Sequence, residues 1–151
     1  MKASIGFLMN DTARLFRKAL DARATQTGVT GLQWRLLAWV SRNPGASQGF
    51  LADRLEVEPI TVSRMVDRLV EAGHIERQAD PADRRAWKIY LTDGATPIVS
   101  DLRAMADALV EQALAGLSPT ERADLERLVL HVRENLSACG QEPSHGHACP
   151  A

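Results

Sequence analysis

The sequence predicts a mainly α-helical protein with one small β-hairpin wing, and three features of the pattern indicate this fold class. Apolar residues recur at the helical period of about 3.6 in several separate segments. Two of these segments are short and meet at a tight corner near residue 57, and two extended runs follow them. Helix, corner, helix and two-stranded ribbon is the order of a winged helix-turn-helix, here flanked by further helices.

The amino-terminal part of the chain contains two predicted helices. The segment from Ile5 to Ala24 repeats apolar residues with helical spacing among basic ones, which predicts an amphipathic helix. Thr30 and Gln33 have the spacing of a capping box, so a second helix begins there and runs to about Ser41. The turn sequence Asn43-Pro44-Gly45 follows it.

The next two predicted helices are short. Ser47 caps the first, and Leu51-Ala52-Asp53-Arg54-Leu55 supplies its apolar side. The second begins near Pro59, which suits a first helical turn, and ends at Gly73. Its apolar positions have the spacing of a buried face, and they are Val62, Met65, Val66 and Leu69. An open polar side remains, formed by Thr61, Ser63, Arg64, Asp67 and Arg68.

A β-hairpin is predicted after this pair of helices. One extended run begins at Ile75, and in a second run Trp87, Ile89 and Leu91 alternate with other side chains. Between the two runs lies the charged segment Asp80-Pro81-Ala82-Asp83-Arg84-Arg85. The pattern therefore predicts a hairpin with a charged tip.

Two further helices are predicted beyond the hairpin. Helical periodicity returns over residues 98–114. The last helix begins at Ser118-Pro119-Thr120-Glu121, which combines a serine cap, a proline at the first position and a glutamate at the third. One face of this helix carries Leu125, Leu128, Val129, Val132 and Leu136. Gly, Pro, Ser and His dominate from Ser137 onward, so we expect a disordered tail.

Composition limits the class of protein. The 151 residues include 18 Lys and Arg against 19 Asp and Glu, so nucleic-acid binding requires local placement of charge. The apolar runs are far shorter than the roughly 20 residues that span a bilayer, and no signal peptide is evident. We therefore expect a cytoplasmic protein without a membrane partner. Cys139 and Cys149 are the only cysteines, so a disulfide framework is not the basis of the fold.

The open side of the second short helix and the hairpin tip have the chemistry of a DNA-binding surface. An α-helix fits the major groove, where hydroxyl and guanidinium groups reach base edges and phosphates. A narrow hairpin tip approaches the minor groove, whose negative potential attracts arginine. The residues that suit these roles are Thr61, Ser63, Arg64, Arg68, Arg84 and Arg85.

Taken together, these segments resemble the MarR family of transcriptional regulators. The resemblance covers about residues 5–138 and is most specific where the charged hairpin tip follows the polar helix in register. The matching segments are Leu32-Gln33-Trp34-Arg35-Leu36-Leu37, Arg42-Asn43-Pro44-Gly45, Leu51-Ala52-Asp53-Arg54-Leu55, Val62-Ser63-Arg64-Met65-Val66-Asp67-Arg68-Leu69, Gly73-His74-Ile75-Glu76-Arg77, Asp80-Pro81-Ala82-Asp83-Arg84-Arg85-Ala86 and Leu91-Thr92-Asp93-Gly94.

The resemblance implies a triangular homodimer whose first, fifth and sixth helices interleave and whose two winged lobes reach successive grooves of a pseudo-palindrome. It implies that Arg64 is the recognition-helix arginine, that Arg85 enters the minor groove, and that Asp83 and Arg84 support the tip or touch phosphate. It also implies a small phenolic or aromatic ligand between the dimerisation helices and the DNA lobe. We therefore expect a ligand-responsive repressor that binds double-stranded DNA.

One MarR-like domain is expected, followed by a tail. The domain covers residues 1–138, and the tail covers residues 139–151. Within the domain, the winged helix-turn-helix is predicted at about 30–91 and the dimerisation helices at 5–25 and 95–138. Pro97 departs from the family pattern, because it lies about one turn inside the usual start of the fifth helix. That helix either begins late, with Thr96 as its cap, or is kinked at Pro97.

Aromatic side chains on the first two helices suit the wall of a cavity for an aromatic ligand, and they suit ordinary core packing at least as well. The candidate pocket residues are Phe16, Trp34, Ala38, Trp39 and His74. The resemblance favours Trp34, Ala38 and His74, because it places the second helix beside the family cavity. A histidine that directly follows a helix end is also typical of an ordinary surface position.

The carboxyl-terminal tail contains soft metal ligands. Cys139, His145, His147 and Cys149 have the spacing Cys-x5-His-x-His-x-Cys, which matches no standard zinc motif. A metal- or redox-responsive regulator that uses this tail is one alternative, and a winged-helix module that binds only proteins is another. The sequence has no Ser-His-Asp set, phosphate-binding glycine loop or His-Glu metal helix, so we expect neither an enzyme nor a cofactor.

Overall fold

Six α-helices and a three-stranded antiparallel sheet make up residues 4–139, which are the residues described by the structure, a computed structural model. The helices are α1 (Ile5–Ala24), α2 (Gly31–Arg42), α3 (Gln48–Leu55), α4 (Pro59–Glu71), α5 (Thr96–Ala113) and α6 (Pro119–Cys139). The strands are β1 (Ala46–Ser47), β2 (Ile75–Ala79) and β3 (Trp87–Leu91). The predicted fold class, mainly α with a small β-hairpin, is confirmed.

Polar caps fix where the helices begin. Thr30 Oγ1 accepts a hydrogen bond from Gln33 N at 3.2 Å, while Gln33 Oε1 accepts one from Thr30 N at 2.8 Å. Ser118 and Glu121 form the same reciprocal pair at α6, and Ser47 Oγ caps α3 at 3.1 Å. The Ser118 main-chain N–H and, secondarily, its hydroxyl hold the pKa of the Glu121 carboxyl below its ordinary value. The three predicted caps are confirmed.

The buried face of α4 lies in the main hydrophobic core. Val62, Met65, Val66 and Leu69 are all 7% exposed or less, as their spacing predicts. They share one cluster with residues from α2, α3, β2 and β3, among them Leu36, Leu37, Leu51, Leu55, Ile75 and Ile89. This cluster fixes the rotation of α4 about its own axis.

A glycine ends α4 and starts the hairpin. Gly73 has φ +76°, a left-handed conformation that glycine adopts without steric cost. Gly73 N donates to Val70 O and His74 N donates to Leu69 O, each at 2.9 Å, which is the paired closure of a Schellman motif. The chain therefore leaves the helix directly into β2.

Strand β3 is the middle strand of the sheet. It pairs with β2 from Ile75 opposite Leu91 to Ala79 opposite Trp87, and with the two-residue β1 on its other side. The sequence did not predict β1. The expected alternation places Ile89 in the core at 0% exposure, but Trp87 is 46% exposed because it lies at the last pair of the ladder, towards the hairpin tip.

Helix α5 starts close to the proline that departs from the family pattern. A 3₁₀ turn over Asp93–Ala95 leads into the helix, which is continuous from Thr96 to Ala113. Pro97 therefore lies in the first turn, where its missing N–H would have no intrahelical acceptor. Of the two alternatives, the helix that begins at this point is the one observed, with Thr96 as its first residue rather than its cap.

Helix α6 continues past the predicted change in composition. It extends to Cys139, and Ser137 Oγ donates to Arg133 O at 2.9 Å within it. The expectation that order ends at Ser137 is therefore wrong for the last three residues of the helix. The rest of the predicted tail, residues 140–151, lies outside the described residues. None of the helices within residues 4–139 has the length and apolar character to cross a bilayer.

A close approach between α1 and α2 generates a test of this packing. A Cβ added to Gly31 would lie 1.9 Å from Asp21 Oδ1 and 2.7 Å from Asp21 Cβ. We expect Gly31→Ala to lower the free energy of unfolding by about 1–3 kcal/mol, because the aspartate must move out of its site. Urea denaturation measures the change.

Gly49→Ala is the matched control, because the nearest atom to a Cβ there is 3.9 Å away. Both glycines lie in the first turn of a helix. The double variant Asp21→Ala/Gly31→Ala should recover most of the loss. A Gly31→Ala protein as stable as the parent would contradict the close approach.

Candidate nucleic-acid interface and ligand cavity

The outer side of α4 presents two unpaired guanidinium groups. Arg64 and Arg68 are exposed and lie four residues apart, on one side of the helix. Within residues 4–139 neither guanidinium group has a hydrogen bond or an ion pair. Two positive charges are therefore available to an external anion.

The amino terminus of α2 lies beside this side of α4. Thr61, Arg64 and Arg68 line a groove of about 230 Å³ together with Thr30 and Gln33. Ser63 is half-buried and does not line this groove. Three of the four residues predicted on this helix therefore line one groove, and Ser63 is not among its lining residues.

The acidic residue on the same exposed side of α4 is neutralised from the sheet. Asp67 forms an ion pair with Arg77 of β2, and the Asp67 carboxylate remains 59% exposed. The pair spans ten residues of sequence, so helical spacing gave no signal for it. Because Arg77 neutralises Asp67, this carboxylate does not cancel the positive charge of Arg64 or Arg68.

Two aspartates fold the hairpin tip. Asp83 Oδ1 accepts from Arg85 N, and Asp83 O accepts from Ala86 N, each at 2.9 Å. Asp80 Oδ1 accepts from Ala82 N at 2.9 Å, and Asp80 N donates to Ala86 O at 3.1 Å. These side-chain-to-backbone bonds are typical of Asx turns. The contacts of Asp83 are therefore those of a residue that supports the tip.

Arg84 and Arg85 occupy the two central positions of the turn that Asp83 closes. Both side chains are exposed, and their guanidinium groups have no partner in the part of the chain that the structure describes. A tight turn directs its central side chains away from the strands. The tip therefore displays two neighbouring positive charges at the end of a narrow ribbon.

A cavity of about 460 Å³ lies among α1, α2 and α5. Its lining includes two aromatic residues, Phe16 and Trp34, and three charged ones, Arg42, Arg103 and Asp107. Ala38 also lines it, and Arg42 Nη1 donates to Ala38 O at 3.3 Å. The volume is in the range of about 300–1,000 Å³ typical of small-molecule sites. The two arginines were not found from sequence, because they are 61 positions apart on different helices.

The other two predicted pocket residues lie elsewhere. Trp39 packs edge-on against Phe50, with ring centroids 6.1 Å apart, and Arg54 lies over both rings at 5.6 and 5.2 Å. His74 follows the end of α4, and its carbonyl accepts from Thr92 N at 3.1 Å. Neither residue lines the cavity. The structure thus brings three of the five together and separates two.

Of the four Cys and His residues predicted as tail ligands, only one lies within the described residues. Cys139 is exposed at the end of α6, whereas His145, His147 and Cys149 lie outside the described residues. Between residues 4 and 139, no three His, Cys, Asp or Glu side chains are grouped closely enough to hold a metal ion.

Known proteins share this architecture. A family model described as the MarR family matches residues 27–86. The apo form of wild-type MarR from E. coli is 25% identical with a TM-score of 0.78, and the match covers 87% of this chain and 98% of that one. The transcriptional regulator PA3341 is 31% identical with a TM-score of 0.77, and the match covers 89% and 99% of the two chains.

A third solved structure was determined with a ligand. The MarR family protein RV2887 of Mycobacterium tuberculosis, in complex with salicylic acid, is 23% identical with a TM-score of 0.73. The match covers 87% of this chain and 97% of that chain, and it shows a likeness of fold.

The geometry of the hairpin tip predicts a local effect at one amide. Asp83→Ala removes the acceptor of the Arg85 N–H, so we expect hydrogen exchange at that amide to accelerate about two- to tenfold. Asp83→Asn keeps a side-chain oxygen and should exchange nearly as the parent does. NMR-detected exchange measures both. Equal exchange rates in all three proteins would show that the carboxylate does not hold the turn.

Proposed function

The chain belongs to the MarR family of transcriptional regulators, whose members are not enzymes, and from this membership we propose that it is a homodimeric repressor. It binds a pseudo-palindromic operator in double-stranded DNA, and a small aromatic or phenolic ligand releases it. The observation that carries the proposal is a set of four exposed arginines, two on α4 and two at the hairpin tip, that have no partner among residues 4–139.

The DNA contacts divide between the two grooves. Arg64 contacts base edges in the major groove, because a guanidinium fork matches the two acceptors of guanine. Arg68, together with the hydroxyls of Thr61 and Ser63, contacts phosphate or neighbouring bases. The supporting observation is that the guanidinium groups of α4 are accessible and that Asp67 is already paired.

The hairpin tip extends the contact to the minor groove. Arg85 enters the groove, where narrow A·T-rich segments have an enhanced negative potential. Arg84 touches the adjacent phosphate, and Asp83 holds the turn that presents both. The exposed position of both arginines at the centre of the turn supports these roles.

Two helical regions suit a dimer interface. On α1, Ile5 is 74% exposed and Phe7 is 62% exposed, and on α6, Val129 is 55% exposed and Leu136 is 63% exposed. Large apolar side chains at this density are typical of surfaces that a second subunit covers. We therefore assign residues 5–25 and 95–138 to dimerisation and about 30–91 to the winged helix-turn-helix, with 139–151 as a tail.

The cavity among α1, α2 and α5 is the proposed effector site. Phe16 and Trp34 offer apolar faces to an aromatic ring, and Arg42 and Arg103 offer positive charge to a carboxylate. Salicylic acid, which is bound to one relative, combines these two features in one small molecule. The wall also carries Asp107, so its charged residues leave one net positive charge, and the ligand class that we propose for it is an aromatic acid.

Coupling between ligand and DNA follows from the helices that form the cavity. Helix α2 contributes to the groove beside α4, and α5 follows β3 after one 3₁₀ turn. A ligand between α2 and α5 favours one arrangement of these helices only as far as it binds that arrangement more tightly. A preference of a few kcal/mol is enough to empty an operator.

The arginine contacts predict separable effects on DNA binding. Arg64→Ala should weaken binding to DNA from the chain's own upstream region by about ten- to a hundredfold and relax base preference. Arg68→Ala should weaken binding to all sequences similarly. It should also reduce the slope of log affinity against log salt concentration by about one for each phosphate contact that is lost. Fluorescence anisotropy across a salt series measures both.

Arg127→Ala is the control, because Arg127 is an exposed arginine of α6 that pairs with Asp124. It should leave affinity and salt dependence unchanged. If the two α4 variants bind like the parent, the proposed interface is wrong. If the parent itself shows no site-selective binding, a protein-interaction module is favoured.

Ligand binding at the proposed effector site should depend on both the negative charge and the aromatic ring of the ligand. Salicylate should bind the parent and lower its affinity for DNA, and Arg103→Ala should weaken salicylate binding about fivefold or more. Calorimetry measures the binding, with benzyl alcohol as a neutral aromatic comparison. Binding that is indifferent to Arg42→Ala and Arg103→Ala would place the ligand elsewhere.

A further inference from the structure

One large apolar side chain lies on the outer side of α4, where the sequence pattern predicts only polar contacts. Ile60 is 59% exposed, whereas the four apolar residues on the buried face are 7% exposed or less. It precedes Arg64 by one helical turn, so both lie on the same stripe, opposite the core. The residue is therefore part of the surface that carries Arg64.

The position of Ile60 is held by the first turn of the helix. Pro59 occupies the first helical position and fixes the backbone there. Glu58 O accepts hydrogen bonds from Thr61 N at 2.9 Å and from Val62 N at 3.4 Å. A β-branched side chain in a helix has essentially one rotamer, so Ile60 presents a fixed apolar surface that loses little entropy on binding.

The surroundings of Ile60 favour a small apolar contact over a protein partner. Its neighbours along the same side, Thr61 and Arg64, are polar, so the apolar area is that of one side chain. An interface core needs a contiguous patch of apolar residues. Within the major groove, the only apolar group that a base presents is the C5-methyl of thymine.

We propose that Ile60 selects a thymine in each half-site by packing against its C5-methyl group, close to the base pair that Arg64 contacts. This inference rests on the proposed DNA binding and adds a base preference to it. Four residues of helix span about 6 Å, and the base pairs of one strand are about 3.4 Å apart. The thymine therefore lies one or two base pairs from the Arg64 contact.

The test begins with duplexes selected by the full-length chain from a random library. The parent should enrich a site with a thymine in each half-site, and Ile60→Ala should lose preference at that position alone. Replacing this thymine by deoxyuridine removes only the methyl group. The parent should then bind about fourfold more weakly per half-site, which corresponds to one buried carbon. Ile60→Ala should bind the two duplexes equally.

Two controls keep the outcome specific. Val70→Ala removes a 36% exposed side chain from the last turn of α4 and should discriminate thymine from deoxyuridine as the parent does. The melting temperatures of both variants should match the parent, since neither side chain is in the core. The thymine contact is refuted if the parent enriches a site but, at every thymine of that site, replacement by deoxyuridine changes the affinity of the parent and of Ile60→Ala equally. If the parent enriches nothing, the proposed DNA binding itself fails.

Discussion

Burial of a single face of α4 is the constraint on which the rest of the lobe depends. Val62 and Val66 are fully buried, and Met65 and Leu69 nearly so. Each such side chain contributes about 1.5–3 kcal/mol when it leaves water. A rotation of one residue would turn the helix by about 100° and carry arginine towards the core, where an unpaired charge is far more costly. Core packing therefore sets the direction in which Arg64 and Arg68 point.

The same core anchors the hairpin, so one packing unit orients both charged elements. Ile75 of β2 and Ile89 of β3 are buried in the cluster that holds α4. The Asp67–Arg77 ion pair links α4 to β2 at the surface, but an exposed pair contributes only about 0–1 kcal/mol. Its consequence is electrostatic, since Arg77 neutralises the negative charge of Asp67 beside Arg64 and Arg68.

The local features of the fold were predictable, because short-range chemistry determines them. The capping boxes at Thr30 and Ser118 and the glycine at 73 each need only three or four neighbouring residues, and the structure has all three. In these segments the caps, the turns and the apolar periodicity all favour the same local structure, and the folded chain adopts that structure. The bounds of α1 could be predicted for the same reason.

Features that depend on distant residues could not be predicted. Strand β1 is two residues long and exists because Ala46 pairs with Ile89, 43 positions away. The cavity arginines, the Asp67–Arg77 pair and the stacking of Arg54 over Trp39 also join separate elements. Aromatic chemistry made both Trp34 and Trp39 pocket candidates, and only the family resemblance favoured Trp34. Their separation follows from which neighbouring helix each one faces.

We propose that the arginines of α4 and the hairpin tip, which have no partner among residues 4–139, contact DNA directly. The most direct test is the side-chain Nε–Hε spectrum of ¹⁵N-arginine-labelled protein with and without a selected duplex. We expect the resonances of Arg64, Arg68, Arg84 and Arg85 to shift on binding. Those of Arg14 and Arg127, which are paired within α1 and α6, should stay in place. Shifts confined to arginines outside α4 and the tip would contradict this proposal.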